Sequence, residues 1–132
     1  MPIVNELVPN HPNILISKIV HPFDINKDTG ASLKQIDDIL AKTPGQLYVI
    51  ADCTNVDPNF SDVVTGLAET SRPGSPLRNP RTETYVVAVG AIFANMVEWY
   101  KQQQYGGMQM RLYKTVDEAI TAVKADIAAA KR

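Results

Sequence analysis

The feature that most constrains the fold is an apolar run in the middle of the chain. The run, LYVIA at residues 47–51, is followed by a mostly polar segment at 52–59. A strand buried on both faces has this composition, and such strands occupy the centre of parallel sheets covered by helices. Apolar residues then recur at helical spacing at Phe60, Val63, Val64, Leu67 and Ala68. The pattern predicts a central strand, a turn and a helix.

Length and composition predict one domain with a substantial core. The chain has 132 residues, of which 45% are hydrophobic, and a formal net charge of −1. A domain of this size buries roughly two-thirds of the surface that its unfolded chain exposes. The near-neutral charge and the pI of about 6.1 give no electrostatic basis for nucleic-acid or anionic-membrane partners.

The cysteine count and the N-terminal segment indicate the cellular compartment of the protein. Cys53 is the single cysteine, which excludes an intrachain disulfide and any multi-cysteine metal site. One thiol without a disulfide suits a reducing cytoplasm. We see no signal-peptide pattern and no stretch of roughly 18 to 20 apolar residues that would span a membrane. These features predict a cytoplasmic protein without a cofactor or a bound metal.

The rest of the chain is predicted to alternate strands with helices. An antiparallel hairpin comes first, because apolar segments at residues 3–8 and 14–20 flank turn-forming residues at 9–13. Helical spacing, capping residues and helix-ending proline or glycine indicate the later elements. The predicted elements are a helix from Asp28 or Thr29 to Pro44-Gly45, a strand at 84–90, a helix at 92–104, a strand at 108–113 and a last helix that begins at Thr115.

Two local signals complete this outline. Thr115 and Glu118 form a capping box, in which each side chain accepts from a backbone N–H of the first turn. Residues 71–81, with three prolines and a glycine, are predicted to lack regular structure. Helical crossovers imply parallel strands. The predicted fold class is therefore α/β, with one four- to five-stranded, mostly parallel sheet, an antiparallel N-terminal edge strand and about four helices.

In this element order the chain resembles the STAS-like superfamily, the fold of anti-sigma-factor antagonists. The best local likeness is VIADCTNVDPNFSDVV at residues 49–64, where a buried strand, a short turn and a helix follow one another. Ser61 falls where the family's phosphorylated serine lies, whereas Phe60, Asp62 and Val63 replace its aspartate, second serine and glycine. NPRTETYVVAVG and QQQYGGMQMRLYKTVDEAI also resemble uncharacterised bacterial members. The resemblance implies a regulatory, ligand-binding or protein-binding role.

Polar residues after the strands form the first candidate site, because ligands of open α/β sheets bind at the carboxyl ends of the strands. The candidate crevice consists of His21, Asp52, Thr54, Asn55, Gly90 and Asn95. Gly90 allows a ligand to approach closely, although a tight strand-to-helix turn is the simpler explanation. Cys53 beside His21 and Asp52 would suit a nucleophile if its pKa were lowered; otherwise it is a small apolar residue ending a strand.

Two further candidates concern phosphate or acidic groups. Ser61 at a helix start is either a phosphoacceptor, stabilised by free N–H groups, or an ordinary N-cap. Arg72, Arg78 and Arg81 can hold an anion or an acidic partner, or can simply be solvated. Their loop enters the following strand at its amino end, opposite the usual ligand crevice.

The last candidate surface is aromatic and lies on the third helix. Its members are Met96, Trp99, Tyr100 and Tyr105. At helical spacing such residues are usually core, and any exposed part would suit a homodimer contact.

Three functions are compatible with the sequence. The first is a non-catalytic cytoplasmic regulatory domain of STAS-like type that binds a protein partner. The second is a small-molecule-binding module that uses the crevice at the carboxyl ends of the strands. The third is a cysteine-dependent enzyme built on Cys53, which lacks a recognisable triad.

Overall fold

The architecture is a five-stranded mixed sheet with four helices, in a computed structural model that describes residues 3–20, 24–55, 60–102 and 110–130. The α/β fold class predicted from the sequence is confirmed. The strands are β1 (Ile3–Val8), β2 (His11–Ile19), β3 (Leu47–Asp52), β4 (Thr82–Val87) and β5 (Arg111–Tyr113). The helices are α1 (Ile25–Lys42), α2 (Phe60–Thr70), α3 (Ala91–Tyr100) and α4 (Val116–Ala130).

The strands lie side by side in chain order, β1-β2-β3-β4-β5. β1 runs antiparallel to β2 at one edge, and all other neighbours are parallel, as predicted. Each right-handed crossover advances in the same direction across such a sheet, so successive connecting helices share one face. Accordingly α1, α2 and α3 pack on one face, and α4, which follows the last strand, packs on the other.

The two faces of the sheet have different cores. Toward α4, the strand residues Ile14, Ile50 and Val87 pack against Ala119 and Val123, and all five are at most 1% exposed. Toward α1, the residues are Leu15, Leu47 and Val49 from the sheet with Ile36 and Leu40. Toward α2 and α3, they are Cys53, Val63, Leu67, Val86, Ala88, Phe93, Val97, Tyr100 and Met110. Side chains therefore alternate between two apolar layers along each central strand.

The first helix begins earlier than the sequence predicted. The start at Asp28 or Thr29 is wrong, because α1 begins at Ile25 and Thr29 is buried within it. Asp24 is the capping residue: Lys27 N donates to Asp24 Oδ1 at 2.9 Å, and Asp24 N donates to Asp28 Oδ2 at 2.6 Å. This reciprocal arrangement is a capping box formed by two aspartates.

Several other element boundaries also differ from those predicted. β2 begins at His11, so the hairpin turn is tighter than the predicted 9–13, with Asn10 at φ 65°. β4 is Thr82–Val87 rather than 84–90, because its pairing with β3 starts at Thr82. The predicted helix at 92–104 is also too long, because α3 spans Ala91–Tyr100 and Lys101 is its C-cap. The predicted strand at 108–113 is shorter, since β5 begins at Arg111 and Met110 is not part of it.

The 71–81 segment, predicted to lack regular structure, contains one short helical turn, and the predicted capping box of the last helix is present in part. The 71–81 segment contains a 3-10 turn at Pro76–Arg78, where Leu77 N donates to Ser75 Oγ at 3.2 Å. At α4, Glu118 N donates to Thr115 Oγ1 at 3.1 Å, as the capping box predicted. The glutamate reaches back to Lys114 N rather than to Thr115 N.

Candidate functional site

A cavity of about 140 Å³ lies between the sheet and the three helices on its α1–α3 face. Its wall is almost entirely apolar. The strands contribute several small side chains to it, among them Ser17, Ala51 and Thr84, and Cys53 directly after β3 adds another. The helices contribute Ser32 from α1, Gly66 from α2, and Phe93 and Tyr100 from α3. The cavity therefore lies between the sheet and the helix layer.

Small residues that face one another explain why this space is unfilled. In the parallel register Ser17 of β2 pairs with Ala51 of β3, and Ala51 pairs with Val86 of β4. Ser32 and Gly66 approach this region from the helices. Protein interiors normally pack to the density of organic crystals, so opposed small side chains leave a void unless the backbones move closer. Ala51 is only half-buried, although it lies in the central strand between buried neighbours.

One pair of hydroxyl groups is joined within the cavity wall. Thr70 Oγ1 donates to Gly66 O at 2.8 Å and is also hydrogen-bonded to Tyr100 Oη. Thr70 has a single hydroxyl proton, which it gives to Gly66, so Tyr100 donates to Thr70. Burial raises the pKa of Tyr100 to about 12, so the phenol stays neutral. This pair satisfies its own polar atoms and leaves the wall uncharged there.

A second hydroxyl in the wall has no such partner. Thr84 is 8% exposed, and its Oγ1 is buried without a hydrogen-bond partner among the described residues. A buried hydroxyl in this condition costs roughly 1–3 kcal/mol. Thr82, two residues earlier on the same strand, has the same unsatisfied Oγ1 but does not line the cavity. Unsatisfied buried groups are uncommon in folded proteins, and the one at Thr84 coincides with the cavity.

Cys53 belongs to the wall of the cavity. It is 8% exposed, and burial, followed by the nearby charge of Asp52, raises its pKa to about 12. The thiol is therefore protonated at neutral pH, which is the opposite of what a nucleophile requires. Strand alternation directs Asp52 to the other face of the sheet. His21 lies outside the described residues, so its predicted pairing with Cys53 stays a prediction.

The described residues of the predicted crevice are accounted for by local turn geometry or are simply exposed. Asp52 Oδ1 accepts from Thr54 N at 3.1 Å and from Thr54 Oγ1 at 2.6 Å, which closes a turn after β3. Asn55 and Asn95 are exposed. Gly90 has φ 112°, a conformation that side chains disfavour, whereas a Cβ there would meet no atom within 4 Å. The backbone conformation, rather than a close approach, therefore accounts for this glycine.

The three loop arginines all make hydrogen bonds or ion pairs within the protein. Arg72 pairs with Glu69 at 2.6 Å, and Arg78 donates to Ser71 O at 3.1 Å. Arg81 donates to the carbonyl oxygens of Leu40, Thr43 and Gly45 at the end of α1. The predicted anion or partner site stays a prediction, and the internal bonds account for these side chains without it.

Ser61 and the aromatic cluster complete the predicted sites. Ser61 is exposed in the first turn of α2, so its hydroxyl is accessible. On α3, Tyr100 is buried, whereas Met96 and Trp99 are half-buried and pack against the core. Tyr105 lies outside the described residues. The dimer contact stays a prediction, because most of the described cluster faces inward.

The cavity was not found by sequence reasoning. Its signal is weak but present: Ser17 in ILISKI and Thr84 in TETYVV stand at inward positions of otherwise apolar strands. Such hydroxyls are common in strands. Only their meeting with Ser32 and Ala51 in three dimensions makes a cavity.

No group of three or more His, Cys, Asp or Glu in the described part of the chain is placed to hold a metal ion. None of the helices formed by the described residues is long and apolar enough to cross a lipid bilayer. Comparison of the chain with protein-family models, with curated proteins and with solved structures found no match.

Proposed function

We propose that this protein is a non-catalytic binding domain that holds a small, uncharged, apolar molecule in the cavity between the sheet and α1–α3. The observation that carries the proposal is the cavity volume of about 140 Å³ behind a nearly apolar wall. An apolar protein cavity of roughly 150 Å³ binds benzene. By that scale the ligand has about six to eight non-hydrogen atoms.

The chemistry of the wall supports a neutral ligand. Asp62 is the one ionisable carboxyl group among the described lining residues, and it already has an interaction of its own. The thiol of Cys53 and the phenol of Tyr100 both have pKa values raised to about 12 by burial, so both are neutral. An unpaired charge carried into such a site would lose its hydration without compensation. A charged metabolite is therefore a poor candidate.

The proposal places the small-molecule site beneath the helices, not in the crevice expected from the sequence. The two regions are adjacent, since Cys53 and Phe93 line the cavity just beyond the carboxyl ends of β3 and β4. The exposed Thr54, Asn55 and Asn95 face solvent, where a small apolar molecule gains little. The cavity offers the same molecule a mostly apolar wall.

The direct test is a methyl-NMR titration with benzene as the probe. We expect concentration-dependent shifts of the methyl groups of Val63 and Val86, which line the cavity. Val87 and Val123 on the α4 face serve as internal controls and should not move. Binding to the native state also raises the melting temperature with ligand concentration. Absence of any change at Val63 and Val86 at saturating benzene would overturn the proposal.

A cavity-filling variant separates specific binding from solvent effects. Ala51→Val adds two methyl groups above the central strand, where the cavity lies. We expect benzene to bind at least about tenfold more weakly, because the remaining volume falls below that of the probe. Ala94→Val, at an exposed position of α3, is the matched control and should bind as the parent does. Unchanged binding by Ala51→Val would contradict the assignment of the site.

The second candidate function is a cytoplasmic STAS-like regulatory domain that meets a protein partner through α2. The observation that favours it is the exposed Ser61 in the first turn of that helix. A phosphate there would meet the free N–H groups of the helix start. Mass spectrometry of protein from its own host tests this candidate: a phosphoryl group mapped to Ser61 supports it, and an unmodified chain in every growth phase contradicts it. Native mass in the same sample reports any homodimer.

A further inference from the structure

We infer that the ligand of the cavity carries one neutral hydrogen-bonding group, a hydroxyl or carbonyl, that is met by Thr84. This inference rests on the proposed function and names the class of molecule that the cavity selects. Two independent observations meet at this residue: Thr84 lines the cavity, and its Oγ1 is buried without a partner among the described residues.

Thr84 is the residue of the described wall whose side-chain oxygen is both fully buried and without a hydrogen-bond partner among the described residues. The hydroxyl of Thr70 donates to Gly66 O, and Tyr100 donates to Thr70. The side chain of Ser32 accepts from Asn5 Nδ2 at 3.2 Å. A hydroxyl both donates and accepts, and a change of Thr84 to another staggered χ1 rotamer moves its oxygen into the position that its methyl group or its Cβ hydrogen occupied. Thr84 can therefore turn its oxygen toward a ligand hydroxyl or carbonyl at the centre of the sheet.

The energetic consequence is selectivity for phenol-like over purely apolar molecules of the same size. A ligand hydroxyl loses its bonds to water on entering the cavity, and it recovers one of them only at a polar partner. Binding also removes the penalty that the unsatisfied Thr84 hydroxyl imposes on the empty protein. The occupant that satisfies both groups is a small aromatic or aliphatic alcohol or ketone without a charge.

The experiment compares phenol with benzene as probes, by calorimetry and methyl NMR, on the parent chain and three variants. Thr84→Val removes the hydroxyl while keeping the shape, and Thr84→Ser keeps the hydroxyl. Thr82→Val is the matched control, because Thr82 has the same unsatisfied hydroxyl away from the cavity. Circular dichroism establishes that each variant is folded before binding is measured.

We expect Thr84→Val to bind benzene as the parent does and to bind phenol at least about tenfold more weakly, the effect of one lost buried hydrogen bond. Thr84→Ser and Thr82→Val should retain the parent ratio of phenol to benzene affinity. An equal ratio in Thr84→Val and the parent, or a parent that binds benzene but not phenol, would overturn this inference and leave the proposed function standing. If neither probe perturbs the cavity residues, the proposed function fails and the inference fails with it.

Discussion

Two threonines of β4 keep buried hydroxyl groups that have no hydrogen-bond partner among the described residues. Thr82 and Thr84 are 9% and 8% exposed, and each would be more stable as an apolar residue of the same shape. We expect Thr82→Val and Thr84→Val each to raise the free energy of unfolding by about 1 kcal/mol, measured by urea denaturation. A loss of stability in either variant would show that its hydroxyl has a partner in solution.

The unsatisfied hydroxyl of Thr84 suggests a binding role, whereas that of Thr82 does not. A residue that lowers stability while facing a cavity is typical of a functional site, because binding sites retain groups that the folded chain alone does not need. Thr82 is the useful comparison, since it shares the strand and the unsatisfied hydroxyl but not the cavity.

The pKa of Cys53 predicts a loss of stability at alkaline pH. In the folded protein burial raises this pKa to about 12, whereas the unfolded thiol ionises at its ordinary value of about 8.5. The raised pKa means that the unfolded state loses its proton first, so stability is complete below about pH 8.5 and declines as the pH rises toward 12. Tyr100 acts in the same direction.

Urea denaturation between pH 7 and pH 11 measures this effect. We expect Cys53→Ala to lose less stability than the parent over that interval, because the ionisable thiol is gone. Identical pH profiles for the two proteins would mean that the thiol is not buried in solution. Slow reaction of the native thiol with iodoacetamide, at least about 100-fold slower than in urea, is the accompanying control.

At the scale of elements, α1 is stabilised at both ends by residues outside its apolar stripe. Asp24 and Asp28 cap its start, and Arg81, far along the chain, donates to the carbonyl oxygens of Leu40, Thr43 and Gly45 at its end. The last carbonyls of a helix have no partner within the helix, and positive charge there also favours the dipole. Arg81 therefore joins the start of β4 to the end of α1.

Substitution of this arginine tests the connection. We expect Arg81→Ala to lower the free energy of unfolding by about 1 kcal/mol and to speed amide exchange near the end of α1, because several charged hydrogen bonds are lost at a partly exposed site. Arg81→Lys should recover little, since an ammonium group lacks the planar fork of the guanidinium. Arg72→Ala, which removes an exposed pair with Glu69, is the control and should be nearly neutral. An equal effect of both alanine substitutions would contradict the capping role of Arg81.

On the other face, α4 is attached to the sheet through a polar cluster as well as through its apolar residues. Tyr85 Oη donates to Asp126 Oδ2 at 2.5 Å, and Arg111 pairs with the same carboxylate. The Arg111 guanidinium also lies over the Tyr85 ring, 5.0 Å from its centre. These contacts position the helix over β4 and β5, whereas Ala119 and Val123 supply the apolar contact.

At the scale of the whole molecule, the two layers on either side of the sheet differ in how well they are filled. The α4 layer packs buried side chains directly against the sheet, and the other layer contains the cavity of about 140 Å³. Voids lower the volume of the unfolded state relative to the folded one, so pressure favours unfolding. We expect Ala51→Val to unfold at higher pressure than the parent, with a smaller volume change followed by tryptophan fluorescence of Trp99. The same pressure midpoint in both proteins would mean that water fills the cavity in solution.

The sequence by itself determined the element order and the fold class. The buried run at residues 47–51, the capping box at Thr115 and the glycine after α1 act over a few residues, so they are visible without a structure. The start of α1 was predicted wrongly because Asp24, which precedes the predicted caps Asp28 and Thr29, is the residue that caps it. The start of β4 was predicted wrongly because its pairing with β3 already begins at Thr82.

Only the tertiary structure decided where a ligand would be held. Ser17, Ser32, Ala51 and Thr84 are separated along the chain, and each is unremarkable in its own segment. Sheet register aligns Ser17 with Ala51, and the crossovers bring α1 and α2 over them. A cavity is the volume left between packed layers, so it depends on which side chains face each other and not on any local pattern. The same reason explains why Arg81, predicted to meet an anion or a partner, donates a hydrogen bond to Leu40 O at the end of α1, 41 residues earlier in the sequence.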